Sequence, residues 1–323
     1  MTQIVHLSDL HLRSSNKPNM TSELSYSNRK VEALVRRIDQ HFPHAHVVVT
    51  GDVTDSGTPT SVEAAYAILE PWLRPDRLSV VPGNHDCGTK GGVWIPGRKR
   101  NLIARFARST PQKYPWVKML GNIVLIGLDS TADTPGQLDE QSLLGDRRYR
   151  ELLTPIERAL LLTARNSIVQ LAIPLLARAA RRIQFAVGRL GDDQLFKLAQ
   201  ILVAPEMRKR IPVVIMHHHP RVHEKVKGKF ISLADSKALM NILEGQTTGK
   251  AVTVLFGHRH HQDSWEEGGT RFVAAPSSVE VFQGVLRFRT LNFNENGFVS
   301  EEWHTMPWDE ITGRTQSWAK SLS

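Results

Sequence analysis

The feature that most restricts the fold is a repeated junction: a short apolar, often β-branched run, followed at once by Asp, Asn or His. "QIVHL" (Gln3–Leu7) runs into "SDLH", "HVVVT" (His46–Thr50) into "GDVTD", and "LSVV" (Leu78–Val81) into "PGNHD". "PVVIM" (Pro212–Met216) runs into "HHHP" and "VTVLF" (Val252–Phe256) into "GHRHH". Runs this short and this apolar suit strands covered on both faces. Further strands are expected at Ile123–Leu128 and Arg271–Ala274, and a hairpin of Gly284–Phe293 and Phe298–His304 turning at "NENG". Amphipathic spacing predicts helices over Asn28–His41, Thr60–Leu73, Arg98–Ser109, Asp192–Leu202 and Leu233–Leu243, with Ser27 or Asn28, Thr60 and Asp192 as N-caps. Strand and helix alternate, which argues for an α/β core.

In such cores, ligand chemistry gathers beyond the carboxyl ends of the strands. The polar clusters all lie there. Asp9, His11, Asp52, Asn84, His217, His258 and His260 make a set of two Asp, one Asn and four His, without a thiolate. Each cluster alone reads as an ordinary turn; five together do not. Oxygen and nitrogen donors of this kind suit Mn, Fe, Co or Zn and argue against an iron–sulfur cluster or a Cys-rich structural zinc. One structural zinc needs about four ligands; a larger set is enough for two divalent or mixed-valence transition metal ions if one carboxylate is shared. Two cations about 3.5–4 Å apart lower the pKa of a bridging water from about 15.7 towards about 7 and clamp phosphoryl oxygens during in-line displacement. That chemistry hydrolyses phosphate esters.

The motifs D-x-H, GD-x-x-D, GNHD, a His after a strand, and GH-x-H occur in this order along most of the chain. In this the chain resembles the calcineurin-like binuclear metallophosphoesterase superfamily, in particular its bacterial phosphodiesterase-like members. The resemblance implies an α/β fold, a four-layer α/β/β/α sandwich of two central sheets flanked by helices. It implies that Asp9, His11 and His260 hold one metal, that Asn84, His217 and His258 hold the other, and that Asp52 bridges. It implies catalytic roles for His85, which stabilises the transition state or protonates the leaving oxygen, and for Asp86, which holds the His85 ring. Asp55 is expected to orient the GD-x-x-D loop. Of His217, His218 and His219, the resemblance points to the first as ligand. Neighbours on an extended segment point oppositely, so His217 and His218 should not both bind; His218 and His219 either line the phosphate pocket or are solvated. Arg259 is expected to point away from the metals, as a surface residue or a phosphate contact, and His261 has no assignment. No substrate-binding residue is identified.

Small bacterial members of the family pass quickly from the fourth strand to a "G-x-L-x-x-x-Q-L" helix start, here "GRLGDDQL" at Gly188–Leu195. This chain inserts roughly fifty residues between, too many for a structureless loop. Ile168, Leu171, Leu175, Ala179, Ile183 and Val187 follow helical spacing with a break at Pro174, and Arg158–Gly191 carries six arginines and no acidic residue. The expected organisation is therefore a metallophosphoesterase domain over 1–304, interrupted by a basic helical insertion at 137–187, and a tail at 305–323 with Trp308 and Trp318. The insertion is either a cap on the active-site rim or, through 158–187, a face for an anionic membrane.

The net charge of +9 favours anionic partners without choosing among them. Nucleic acid is disfavoured, since no aromatic–basic stacking pattern accompanies the charge. One cysteine, Cys87, fits a reducing compartment. Neither a signal peptide nor a spanning helix is expected, which places the protein in the cytoplasm or at the inner membrane face. The leading expectation is a phosphodiesterase acting on small nucleotides or glycerophosphodiesters. The alternatives are a membrane-peripheral hydrolase of phospholipid or lipid-linked diphosphate, and a non-catalytic scaffold of this fold.

Overall fold

The computed structural model describes residues 1–14, 26–87, 98–131, 188–221, 232–245 and 250–307. The basic segment at 137–187 and nearly all of the 305–323 tail lie outside them. Eleven described strands make two sheets. β1 (Thr2–Leu7), β2 (His46–Thr50) and β3 (Leu78–Val81) join a later hairpin in the order β11-β10-β1-β2-β3. The second sheet holds β4 (Trp116–Leu120), β5 (Ile123–Gly127), β6 (Ile211–Ile215), β7 (Val252–Phe256), β8 (Asp263–Glu267) and β9 (Thr270–Ala274), in the order β4-β5-β6-β7-β9-β8. The hairpin strands are β10 (Val285–Asn294) and β11 (Gly297–Pro307), the latter running past the boundary expected at 304. The strands that carry the polar junctions pair in parallel, β1 with β2, β2 with β3, and β6 with β7. Their carboxyl ends therefore emerge at one edge of each sheet.

The pleat sorts the apolar side chains into layers. In β2, Val47 and Val49 face the helices while Val48 faces the other sheet. In β5, Val124 and Ile126 face helices while Ile123 and Leu125 face inward. Ile4, Val48, Val81, Leu125, Val213, Leu255 and Phe293 fill the space between the sheets. Helices α1 (Ser27–His41), α2 (Pro59–Ile68) and α3 (Arg98–Arg105) lie against the first sheet through Leu34, Ile38, Val62 and Leu102. Helices α4 (Asp192–Val203) and α5 (Ser236–Glu244) cover the second through Leu195, Leu198, Leu239 and Leu243. This is the expected four-layer arrangement. No helix among the described residues is long and apolar enough to cross a membrane.

Local chemistry moves several expected boundaries. α2 stops at Ile68 because Pro71 cannot continue the ladder, and Glu70–Trp72 tightens into a 3-10 turn. α5 begins at Ser236, not Leu233, because Leu233 bridges to Gly188. The expected caps also shift. Thr58, not Thr60, accepts the Ser61 N–H (3.2 Å), with Pro59 in the first turn. Tyr26 precedes α1 in the left-handed region, and Gly191 precedes α4, so Ser27, Asn28 and Asp192 lie just inside their neighbouring turns. Asp192 and Asp193 then lie near the positive end of the α4 dipole. Two edge strands, β4 and β8, were not expected from the sequence.

Candidate metal centre

Three of the five polar junctions, those after β1, β2 and β7, leave their strands through a strained bend. Asp9, His11, Asp52, His258 and His260 all adopt positive φ, between 45° and 74°. Non-glycine residues avoid this region at a cost of about 1 kcal/mol or more each, so five in one place mark a preorganised site. Gly51 (φ 91°) lets the β2 loop pass the His217 ring, which an added Cβ would strike. The bends are tied together by main-chain bonds. Asp9 N–H donates to Gly51 O (3.1 Å), His11 N–H to Asp52 O (2.9 Å) and Gly257 N–H to His217 O (3.1 Å). Ser277 Oγ donates to Asp9 O (2.8 Å), and Ser278 N–H to Ser8 O (2.9 Å).

These bends bring all seven expected donors together. One group is Asp9, His11 and His260, with His260 Nε2 at 3.3 Å from both Asp9 Oδ1 and His11 Nε2. The other is Asp52, His217 and His258, where His217 Nε2 lies 3.4 Å from Asp52 Oδ2 and 3.2 Å from His258 Nδ1. Asn84 Oδ1 adds a further oxygen at 3.0 Å from His217 Nε2. Asp52 also lies within reach of His11 and His85, so it stands between the two groups. Separations of 3.0–3.4 Å are those of neighbouring ligands each about 2.0–2.2 Å from one cation. The donor set fits two metal ions.

Second partners fix the rings. His217 Nδ1–H donates to Thr50 O (2.8 Å), which leaves Nε2 for the centre. His260 Nδ1 is hydrogen-bonded to Glu280, a carboxylate–histidine pairing that sets ring orientation and raises ligand basicity. Glu280 was missed in the sequence. It lies between two valines in "SSVEVF", outside every motif, and an isolated carboxylate in an apolar stretch was the only available signal. His85 Nδ1–H donates to Asp55 O at 3.1 Å.

That last bond corrects the role expected of Asp86. Its carboxylate does not hold the His85 ring; it accepts the N–H groups of Gly83 (2.9 Å), Thr54 (2.8 Å) and Val53 (3.2 Å) and the Thr54 hydroxyl (2.7 Å). A fully buried carboxylate surrounded by main-chain donors serves to pin the β2 and β3 loops together. Asp55 pairs with Arg13 (3.3 Å), as a loop-orienting residue would. Neither His218 nor His219 is solvated. His218 is buried with Nδ1 2.8 Å from Ser130 Oγ, and His219 stacks on Trp265. Arg259 is half-buried beside the ligands, while His261 is exposed at the rim.

The electrostatics are those of a crowd awaiting cations. Burial alone would raise the pKa of Asp9, and burial would do the same for Asp52, but His260 and His217 respectively outweigh it and hold both carboxyls below their ordinary range. Burial would lower His217 and His260, yet Asp52 and Asp9 reverse this and lift them to about 9 and about 11. His11, dominated by burial, falls to about 4. Without metal, then, protons on His217 and His260 balance the buried aspartates. Cations held by these residues would displace those protons.

A sequence profile described as calcineurin-like phosphoesterase matches residues 2–262. A protein from Vesicomyosocius okutanii subsp. Calyptogena okutanii (strain HA), named probable cyclic nucleotide phosphodiesterase, is 22% identical over 305 residues, covering 93% of this chain and 98% of its own length. The crystal structure of a dimetal phosphatase from Danio rerio superposes with a TM-score of 0.64 at 14% identity, covering 95% of this chain and 99% of that one. The latter likeness is one of fold.

Proposed function

The chain belongs to the calcineurin-like phosphoesterase family, and on that premise we propose that it is a metal-dependent phosphodiesterase acting on small nucleotides or glycerophosphodiesters. The observation that carries this reading is the meeting of seven donors from five strand ends at 3.0–3.4 Å spacings. Asp9, His11 and His260 would hold one ion, Asn84, His217 and His258 the other, and Asp52 would be shared. Bound ions supply Lewis acidity towards a phosphoryl oxygen and an activated water. The relative named probable cyclic nucleotide phosphodiesterase favours a diester over a monoester.

The protein's own residues then have defined tasks. Asn84 donates an oxygen without adding a third carboxylate charge, which keeps the centre cationic enough to receive a phosphate. His85 stands beside His11, ring centroids 4.7 Å apart, with its backbone N–H fixed on Asp52 Oδ1 (2.8 Å). With Nδ1–H donated to Asp55 O, its Nε2 is the nitrogen left to take up the proton released by the attacking water and pass it to the departing ester oxygen. Water oxygen bonds to phosphorus, the ester P–O bond breaks, and the alcohol leaves protonated. Asp86 contributes by holding the loop that carries Asn84 and His85.

Replacing Asp52 or Asn84 with Ala should abolish turnover of bis(p-nitrophenyl) phosphate by metal-supplied protein while the circular dichroism spectrum stays native. Full activity in either variant rejects the two-ion scheme.

A further inference from the structure

A cleft of about 620 Å³ opens beside His260, walled by His261, Asp263, Ser277, Glu280, Phe282 and Arg287. His260, one of the seven donors, forms part of its wall, so the cleft adjoins the proposed metal centre. Its size lies within the range of small-molecule sites, roughly 300–1,000 Å³. Its wall holds an unusual pair. Phe282 is 51% exposed, although its neighbour Val281 packs into the helix-side core. The Arg287 guanidinium sits over the Phe282 ring, 4.4 Å from its centroid.

The backbone fixes that ring. Phe282 and Val285 exchange both main-chain hydrogen bonds, at 2.9 and 3.1 Å, across Gln283 (φ 50°) and Gly284 (φ 80°). Positive φ at both central residues makes the tight hairpin turn whose twist matches the strand β10 that follows. Gln283 bears the strain of a non-glycine residue in that region. Phe282 is thus held at the cleft wall by a stiff turn.

We propose that Phe282 and Arg287 form a shelf for the flat heteroaromatic group of the ester, so that the substrate class is nucleotides and not glycerophosphodiesters. The inference rests on the diesterase reading above and narrows it. Aromatic faces accept any base, since every base presents a π-face, and a guanidinium on the ring adds cation–π attraction. Asp263 and Glu280 offer carboxylate acceptors for the edge of such a group. A glycerol or ethanolamine group has no face to stack.

The test compares 3′,5′-cyclic AMP with glycerophosphoethanolamine in wild type, Phe282→Ala and Phe282→Trp. The expected result is a fall of about tenfold or more in the ratio of kcat/KM for the two substrates in Phe282→Ala, carried by KM, with Phe282→Trp close to wild type; loss of one base–aromatic stack has this size. An unchanged ratio overturns the shelf, even if both activities drop together. If wild type hydrolyses neither diester, the diesterase reading fails, and the shelf is judged by equilibrium binding of AMP against glycerol 3-phosphate to the metal-loaded protein. Selective loss of AMP affinity in Phe282→Ala then sustains it, and equal affinity overturns it.

Discussion

Glu280 offers a way to perturb one half of the proposed metal centre without touching a proposed ligand. Its carboxylate accepts the Nδ1–H of His260, and the two side chains are 30% and 27% exposed. A charge-assisted hydrogen bond contributes about 1.5–3 kcal/mol, and partial solvent screening places this one at the lower end. Glu280→Gln keeps an acceptor and loses the charge, so about 1 kcal/mol, or roughly fivefold in affinity, is expected. Glu280→Ala loses the bond itself and lets the imidazole rotate, for about 2 kcal/mol, or roughly thirtyfold, within the 10–100-fold typical of such outer partners. The effect should be confined to the site proposed at Asp9, His11 and His260. Competition against a chromophoric chelator, titrated with Mn(II) or Zn(II), resolves the two binding steps. One step should weaken and the other stay within about twofold. Wild-type affinity for both ions in both variants refutes the reasoning. Equal weakening of both steps refutes it too, because it indicates general damage and not a ring set loose.

Two further predictions follow from burial and backbone. His46 is buried, with Nδ1–H on Asp76 O (2.9 Å) and Nε2 on Ser79 Oγ (2.9 Å), which also receives Lys118 Nζ (2.8 Å); burial first, then opposed by the Asp76 carbonyl and reinforced by Lys118, lowers its pKa from 6.5 to about 4. A depressed pKa means that the unfolded chain takes up the proton first, so stability present above pH 6.5 drains away as pH falls towards 4, by about 3 kcal/mol in full. Urea melts of metal-free protein at pH about 7 and about 4.5 should show wild type losing about 2–3 kcal/mol more than His46→Gln; parallel losses would exclude the linkage. Gly51→Ala should cost about 1–3 kcal/mol in the same melts and impair metal binding, since φ 91° and the His217 ring both oppose a methyl group. A variant as stable and as metal-competent as wild type would contradict it.

The strand ends were legible because their chemistry is local: Asp9, Asp52, Asn84 and His258 each lie within three residues of the end of an apolar run, and one rule about carboxyl ends gathers them. Partners from distant loops left no such trace. The bond between His260 and Glu280 depends on how the segment after β9 folds back, and the replacement of Asp86 by the Asp55 carbonyl at His85 depends on a main-chain oxygen that no side-chain pattern reports. β4 was missed for a related reason. Val117 and Met119 are exposed on an edge strand while Lys118 points into main-chain acceptors, which inverts the usual apolar-in alternation. β8, reading "DSWEE", is an acidic edge, a composition that blunts strand pairing and hides a strand from apolar patterning.

The donor set belongs to neither half of the sandwich alone. Asp9, His11, Asp52 and Asn84 leave the five-stranded sheet, and His217, His258 and His260 leave the six-stranded one. Ions held between them, as proposed, would act as rivets across a seam otherwise closed largely by side-chain packing and a few loop bonds. Reactivity and cohesion are thereby welded into one property. A chelator that silenced the chemistry would then also loosen the halves, and a motion that parted them would break up the donor set.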